Sequence, residues 1–379
     1  METVKLYYED CHIREFSAKV LSCRETEKGF AVTLDATAFY PEGGGQACDI
    51  GTLGAANVLD VREIGDDILH FCDQKLEVGS QVAGRIDWER RFALMQQHSG
   101  EHIVSGIVNR MLGHSNVGFH MGSHVMTIDF DGPITARQLS EIEDLANQAV
   151  WADLPISCTY PAADVLPTIP YRSKKQLPWP VRIVQIPGID SCACCGVHVA
   201  RTGQIGLIKL ISCVKFHQGV RIELACGSQA LRLMQAVFEE NRAVSQAFSA
   251  KILETGAAAR KMNDALSAEK LRANTLQSAL FDRIAAAFAG KGNVSHFAQG
   301  LNPAQCRELA DKISEVCGGW AAVLGGEEGN YSICIVSKCG DVKAIGQALG
   351  ARGGGKPGFF QGSLRAEKAD IEAKFAELT

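Results

Sequence analysis

Two histidines spaced four residues apart are the clearest chemical signal in this sequence. The segment His98-Ser-Gly-Glu101-His102 lies within text whose apolar residues follow a helical spacing. In an α-helix, residues i and i+4 lie on one face, a single turn apart, so both imidazoles can reach the same metal ion. A lone helical histidine is usually structural, whereas the pair predicts a metal site.

A second group of metal-ligand residue types follows later in the chain. The segment Asp190-Ser-Cys-Ala-Cys194-Cys195-Gly-Val-His198 contains a short glycine turn, in which Cys194 and His198 form a C-x3-H pair. The two pairs together supply three nitrogens and one thiolate, which is a tetrahedral zinc set, and sulfur argues against magnesium or calcium. The spacing leaves open which cysteine is the ligand, because Cys192 and Cys195 also lie near His198 and are alternatively packing residues.

Composition narrows the class of protein and its compartment. The chain has 379 residues, 46% of them apolar and 21% charged, which predicts a globular protein of roughly two or three domains. No run of about eighteen apolar residues occurs, so we expect no membrane span. The first residues lack the basic start and apolar run of a signal peptide, so we expect a cytoplasmic protein whose 14 cysteines are thiols or metal ligands. A net charge of −5 does not indicate a nucleic-acid binder, although local basic patches leave that function open.

The elements that must position these side chains predict an α+β protein with four parts. Residues 1–90 contain short β-strand patterns separated by turn-forming residues, which predicts a small N-terminal β-barrel. Residues 91–227 mix a helix, strands and turns and predict a zinc-containing α+β domain. Residues 228–289 predict a long helical arm with a break at Thr255-Gly256. Such an arm usually serves as a spacer or as an oligomer interface, so a homodimer is one of the expected states. Residues 290–379 predict a small C-terminal α/β domain.

At these motifs the sequence resembles the alanyl-tRNA editing proteins (the AlaX family), which are similar to the editing domain of alanyl-tRNA synthetase. The family motif H-[TS]-A-x-H corresponds to residues 98–102, and C-G-G-T-H-V-x-x-T-G-x-I-G corresponds to residues 194–206. Residues 38–46 match F-Y-P-E-G-G-G-Q, and residues 350–357 resemble the DHH-associated domain at the C-terminus of the synthetase. The resemblance covers nearly the whole chain and implies the long form of the editing protein. The zinc ligands that it implies are His98, His102, Cys194 and His198.

The reaction that the resemblance implies is zinc-dependent hydrolysis of Ser-tRNA(Ala), and also of Gly-tRNA(Ala). A small apolar synthetase pocket rejects a competitor that merely adds a hydroxyl by only about 10²-fold, so a separate hydrolytic site is needed. We predict Glu101 as a general base, with a solvent-facing position between two ligands as the alternative. We also predict catalytic roles for His120 and Ser123, in a loop where the synthetase usually has glutamine at the place of His120. Gly100 and Val197 replace the family's alanine and threonine, and Val197 would change specificity only if it touched the substrate.

Contacts with tRNA are predicted at two glycine-rich segments. The first comprises Gly43, Gly44, Gly45 and Gln46. Its backbone amides would approach the terminal adenosine or the ester, with a tight barrel turn as the alternative. In the second segment Arg352 and Lys356 flank three glycines and would contact tRNA phosphates, with a flexible turn as the alternative.

Two other functions stay open on the sequence alone. A zinc-stabilised tRNA-binding module would keep the ligands without turnover, and the departures at His120 and Val197 leave room for it. The pattern H-x-x-E-H is also that of a zinc protease class, in which Glu101 would be the base and a downstream carboxylate would complete the zinc site.

Overall fold

The computed structural model describes residues 3–27, 29–65, 67–122, 125–173, 177, 179–327, 329–338 and 340–378. The contacts among them divide the chain into two units, Met1–Ala243 and Val244–Thr379. Helices and several sheets occur together, so the α+β class is confirmed. The four-part division at residues 90, 227 and 289 stays a prediction.

Short strands dominate the first part of the first unit. They and one short helix are β1 (Val4–Lys5), α1 (Leu6–Glu9), β2 (Glu15–Thr26), β3 (Gly29–Leu34), β4 (Ala36–Thr37), β5 (Gly51–Leu53), β6 (Ala56–Ile64), β7 (Asp67–Cys72) and β8 (Gln81–Ile86). Six of these strands close into a barrel in the order β2-β3-β7-β6-β5-β8, and β1 pairs with β4 in parallel. Burial alternates strictly along β8, which is the period expected when one face of a strand fills the barrel interior.

A long helix and two antiparallel sheets make up the rest of the first unit. These elements, with two further helices, are α2 (Trp88–Leu112), β9 (Asn116–Met121), β10 (Met126–Phe130), α3 (Ala136–Trp151), β11 (Ser157–Thr159), β12 (Ile183–Ile186), β13 (Asp190–Ala193), β14 (Ile208–Phe216), β15 (Gly219–Cys226) and α4 (Gly227–Ala247), whose last four residues belong to the second unit. One sheet has the order β14-β15-β10-β9 and the other β11-β12-β13. Apolar residues of the barrel, of α2 and of the larger sheet belong to a single buried core.

Helix α2 is the element on which the candidate site is built. The Asp87 side chain accepts a hydrogen bond from the Arg90 N–H and caps the start of the helix, and Gly113, in the left-handed region at φ 71°, ends it. Most of its middle turns are buried, including both histidines. A helix surrounded by protein in this way can hold polar groups only if they are paired with other polar groups or with a ligand.

A buried ion pair fixes the glycine-rich segment 38–49 against α2. The guanidinium of Arg91 contacts the Asp49 carboxylate and also donates to the carbonyl oxygens of Cys11 (2.8 Å) and Ala38 (2.6 Å). The side chains of Arg91 and Asp49 are 0% and 1% exposed. A buried pair is tolerated only when its polar atoms are satisfied, as these are, so the segment has one position relative to the helix.

The second unit contains a long helix and one five-stranded sheet. Its elements are α5 (Thr255–Ala286), β16 (Gly292–Gln299), α6 (Pro303–Cys317), β17 (Gly318–Glu327), β18 (Asn330–Ser337), α7 (Lys343–Ala348), β19 (Arg352–Lys356), β20 (Phe359–Leu364) and α8 (Lys368–Leu378). The sheet order is β16-β17-β18-β20-β19, and only β16 and β17 pair in parallel. The predicted helical break is displaced: α4 ends at Ala247, and Thr255-Gly256 begins α5 instead of interrupting it.

Within the described part of the chain, every helix is too short or too polar to cross a lipid bilayer.

Candidate metal centre

His98 and His102 lie on a buried face of α2, one helical turn apart. Each is 2% exposed, and their rings stack with centroids 5.4 Å apart. The ring of Phe119, on β9, lies 5.3 Å from that of His98. The first pair is therefore together in a dry environment, where its ring nitrogens need partners.

The turn that follows β13 brings Cys194 and His198 against this helix. Cys194 Sγ lies 3.4 Å from Nε2 of His98 and 3.6 Å from Nε2 of His198. One ligand atom from each of His98, His102, Cys194 and His198 lies within 4.8 Å of the others. The structure thus brings the two distant pairs of the sequence into one cluster.

Three hydrogen bonds hold the turn so that the Cys194 thiol faces the histidines. The Gly196 N–H donates to Cys194 Sγ (3.3 Å), and Arg182 Nη1 donates to the carbonyl oxygens of Cys194 (3.0 Å) and Gly196 (2.8 Å). A Cβ on Gly196 would lie 2.1 Å from the first histidine of the cluster, so only glycine permits this approach. Cys195 is exposed and Cys192 is partly buried, and neither belongs to the four-residue cluster.

Each imidazole is oriented by a partner at its Nδ1 atom. These partners are Gln46 Oε1 for His98 (2.7 Å), Asp190 Oδ2 for His102 (2.8 Å) and Ser99 Oγ for His198 (3.4 Å). Nε2 of His102 is buried and has no hydrogen-bond partner among the described residues. Such an orphaned nitrogen costs free energy unless a ligand satisfies it.

The cluster fits a tetrahedral metal ion. Zinc–sulfur and zinc–nitrogen bonds of about 2.3 and 2.05 Å at the tetrahedral angle separate sulfur from nitrogen by about 3.5 Å. The two separations in the structure are 3.4 and 3.6 Å. Partners on the Nδ1 atoms are also the usual surroundings of histidine ligands. These four side chains could therefore hold a metal ion.

Electrostatics favours the ligand form of the thiol. Burial raises the pKa of Cys194, but the electrostatic influence of the neighbouring His98, His102 and His198 outweighs it, so this pKa lies well below its ordinary value. Burial lowers the pKa of His198 to about 3, which keeps that ring neutral. Burial also acts against a charge on His102, yet the hydrogen bond to Asp190 and the nearby Cys194 thiolate raise its pKa above the usual range. A metal ion would therefore displace a proton from His102 when it binds.

Asp190 is itself clamped by Arg172. Arg172 donates from Nε to Asp190 Oδ1 (2.7 Å) and from Nη2 to Oδ2 (2.8 Å). Burial raises the pKa of Asp190, but its hydrogen bonds with His102 and Arg172 lower it to about 2. Gly106 of α2 allows this contact, because a Cβ there would lie 2.5 Å from the Ile189 carbonyl oxygen. The helix and β13 can therefore approach closely enough to join His102 to Asp190.

A pocket of about 440 Å³ opens at the cluster, with Glu101 in its wall. Glu101 is 5% exposed, and its Oε1 accepts hydrogen bonds from Ser105 Oγ (2.6 Å) and Asn116 Nδ2 (2.5 Å). Its Oε2 lies 3.9 Å from Nε2 of His102. The solvent-facing alternative for Glu101 is wrong, because β9 covers this part of α2. One carboxylate oxygen is anchored, and the other faces the cluster.

The glycine-rich segment divides between the pocket and the protein interior. Gly44 and Gly45 line the pocket with φ angles of 59° and 83°, which favour glycine. A Cβ on Gly45 would lie 2.6 Å from the Phe119 ring. Gly43 and Gln46 close the turn through reciprocal backbone hydrogen bonds of 3.1 and 2.9 Å. The Gln46 side chain is fully buried and is not among the described residues that line the pocket.

His120 and Ser123 were predicted to be catalytic. His120 is exposed on β9, one position after Phe119, so the two side chains point to opposite faces of the strand. It is not among the described lining residues of the pocket. Ser123 lies outside the described residues. Val197 is fully buried and is not among the described residues that line the pocket.

Arg352 and Lys356 belong to the second unit and lie on β19. This is an edge strand of the sheet, not the flexible turn that was the alternative. Both residues are exposed. A Cβ on Gly353 would lie 2.1 Å from the Gln361 carbonyl oxygen, so glycine here permits close pairing with β20.

The sequence did not reveal the residues that orient the four candidate ligands, nor the residues that orient Glu101. Asp190 could have been found, because ligand histidines commonly donate to a carboxylate and this acid lies four residues before Cys194. Gln46 was noticed but assigned to the substrate. The contact of Asn116 with Glu101 depends on how β9 folds back on α2, and no local pattern indicates it.

Comparison with known proteins finds two matching family models and several similar proteins. Residues 181–223 match the family described as threonyl and alanyl tRNA synthetase second additional domain, and residues 3–90 match tRNA synthetases class II (A). Alanyl-tRNA editing protein Aarsd1 of Danio rerio is 27% identical over 401 residues, which cover 97% of this chain and 96% of that protein. Its counterpart in Mus musculus is 29% identical over 402 residues with the same coverage.

Over nearly its whole length the chain is similar to the alanyl-tRNA editing proteins. The resemblance inferred from the motifs is therefore confirmed. The alanine–tRNA ligase of Thermofilum pendens is 32% identical over 390 residues, which cover 96% of this chain but 42% of the ligase. The similarity to that ligase thus involves less than half of its length.

Proposed function

We propose that this protein hydrolyses the ester bond of tRNA(Ala) that has been wrongly charged with serine or glycine. The observation that carries the proposal is the convergence of three imidazoles and one thiol in a single cluster, of which His98, His102 and Cys194 line a pocket of about 440 Å³. The nearly full-length similarity to alanyl-tRNA editing proteins supports the choice of substrate.

We assign zinc to His98, His102, Cys194 and His198. Three imidazoles and one thiolate suit zinc better than the hard cations that prefer oxygen. Zinc held there would supply Lewis-acid stabilisation of charge on the ester oxygen.

The side chain that we assign to proton transfer is Glu101. Its Oε2 would take a proton from the attacking water while the water oxygen bonds to the ester carbon, and the proton would then go to the departing ribose oxygen. Ser105 and Asn116 hold Oε1, so the carboxylate is oriented before the substrate arrives. The neighbouring Gly44 and Gly45 leave room in the wall for the aminoacyl end of the substrate.

Exposed cations in the second unit would supply binding to tRNA. Arg352, Gly354 and Lys356 lie on the same face of β19, and the two charged residues are about 13 Å apart along the strand. The exposed apolar stripe of α5, with Met262, Leu266 and Leu280, is where we place the proposed homodimer contact.

The central experiment compares hydrolysis of Ser-, Gly- and Ala-tRNA(Ala) under single-turnover conditions. We expect the serine or glycine ester to be hydrolysed faster than the alanine ester. Binding of tRNA without turnover of any ester would favour the zinc-stabilised binding module. Cleavage of peptides would favour the protease, although Cys194 and His198 occupy the place where that class needs a carboxylate ligand.

Glu101→Gln tests the proton-transfer role within the same assay. The amide oxygen can still accept from Ser105 and Asn116, so the fold should be kept while the base is lost. We expect the hydrolysis rate to fall by about 10²- to 10⁴-fold. Glu89→Gln, an exposed position at the start of the same helix, should leave the rate unchanged. A rate for Glu101→Gln within threefold of the unmodified protein would remove Glu101 from the mechanism.

A further inference from the structure

The side chain of Gln46 joins three separate parts of the first unit at the candidate metal centre. It follows the glycine turn of segment 38–49 and is 0% exposed. Its Oε1 lies 2.7 Å from Nδ1 of His98 on α2 and 3.3 Å from the backbone N–H of Val197. Val197 lies in the turn between Cys194 and His198, so a single oxygen contacts the elements that carry both ligand pairs.

The two contacts determine which form of His98 is present. A backbone N–H can only donate, so the Gln46 atom that it meets must be the amide oxygen. That oxygen accepts a second hydrogen bond, which must come from a proton on Nδ1 of His98. In the neutral ring, Nε2 of His98 is then the unprotonated nitrogen, and it lies 3.4 Å from Cys194 Sγ. Gln46 therefore selects the tautomer in which His98 can serve as a ligand.

We propose that Gln46 is a positioning residue of the metal centre and not a substrate-binding residue. Asp190 performs the comparable task for His102 with a negative charge, whereas Ser99 lies at a longer 3.4 Å from His198. Gln46 orients His98 through a neutral amide and, unlike Asp190, also contacts the turn of the second ligand pair.

Local geometry supports this role. The side chain leaves a turn closed by the reciprocal backbone hydrogen bonds of Gly43 and Gln46, so its starting point is fixed. A Cβ on Gly196 would lie 2.1 Å from His98 Cε1 and 3.1 Å from Gln46 Oε1. Glycine at this position therefore leaves the space in which the amide and the imidazole meet.

The test measures zinc affinity on metal-free protein by competition with a chromogenic chelator, with cobalt(II) spectra as a second readout of ligand geometry. Gln46→Met keeps the length of the side chain but removes the acceptor, and we expect zinc to bind about 10- to 100-fold more weakly. Gln46→Glu restores an acceptor for Nδ1 and should recover the affinity to within a few-fold. Gln96→Met controls for the loss of a buried amide, because Gln96 is a buried residue of α2 whose side chain donates to the Gln204 carbonyl oxygen.

Two results would overturn the inference. Gln46→Met could bind zinc as tightly as the unmodified protein while the KM for charged tRNA rises, which is the substrate-binding result. Alternatively, Gln46→Glu could bind zinc no better than Gln46→Met, which would show that Gln46 only packs against its neighbours. Circular dichroism checks that each variant folds. If Gln46→Met does not fold, the zinc affinity of Gln46→Glu relative to that of the unmodified protein still tests the role of the acceptor.

The inference rests on the proposed metal centre but not on the proposed reaction. If the unmodified protein binds no zinc, both fail. If it binds zinc without hydrolysing any charged tRNA, the proposed function fails while the affinities of the Gln46 variants still test the inference.

Discussion

Replacing Cys194 by alanine should abolish the stabilisation that zinc, the metal that we propose for the cluster, would give to the first unit. The thiol lies 3.4 and 3.6 Å from two of the three ligand nitrogens, so its loss removes the one anionic ligand of the set. A ligand that binds only the folded state at about 1,000 times its Kd stabilises that state by about 4 kcal/mol. For a unit of the size of Met1–Ala243, about 4 kcal/mol corresponds to a rise in Tm of about 8–16 °C.

The assay is thermal unfolding of metal-free protein, with and without zinc buffered at that excess, together with zinc content and hydrolysis of Ser-tRNA(Ala). Cys195→Ala is the matched control, because its thiol is adjacent in sequence yet outside the four-residue cluster. We expect the control to keep the zinc-dependent rise in Tm, and Cys194→Ala to lose it along with activity. A full rise in Cys194→Ala, or its loss in Cys195→Ala, would refute the ligand assignment.

Three further predictions concern the pocket wall, the barrel core and the second unit. Gly45→Ala should reduce hydrolysis more than Gly44→Ala, since both have positive φ but only the first Cβ would meet Phe119, at 2.6 Å; equal rates would contradict this. Burial lowers the pKa of His70 to about 4, so the folded state favours its neutral form. The free energy of unfolding should therefore fall by about 3 kcal/mol as the pH drops from 6.5 to 4, because the unfolded chain takes up the proton first. In urea unfolding, His70→Gln should lose that part of the pH dependence. Arg352→Ala should weaken tRNA binding and lower its salt slope by about 1, and an unchanged slope would place tRNA elsewhere.

Local patterns predicted the parts of the site that local geometry decides. The i, i+4 spacing of His98 and His102 brings the rings together in any α-helix, so this pair needed no knowledge of the fold. Strand alternation likewise indicated the barrel region. The glycine at position 100 has an explanation only in three dimensions, because a Cβ there would lie 2.2 Å from Cys226 Sγ.

Contacts set by long-range packing could not be predicted in this way. Asp190 reaches His102 only because Gly106 lets β13 approach the helix, and Asn116 reaches Glu101 only because β9 folds back on α2. The solvent-facing alternative for Glu101 arose because periodicity does not say which strand will cover a helix face.

The shared core of the barrel and α2 limits how the chain can be cut or grafted. A fragment beginning at residue 91 would carry all four cluster residues but would strip the barrel side of α2 of its apolar cover. It would also lack Gln46, leaving Nδ1 of His98 without its acceptor. Moving these four residues into another scaffold would therefore require the barrel as well, because it covers α2 and supplies Gln46.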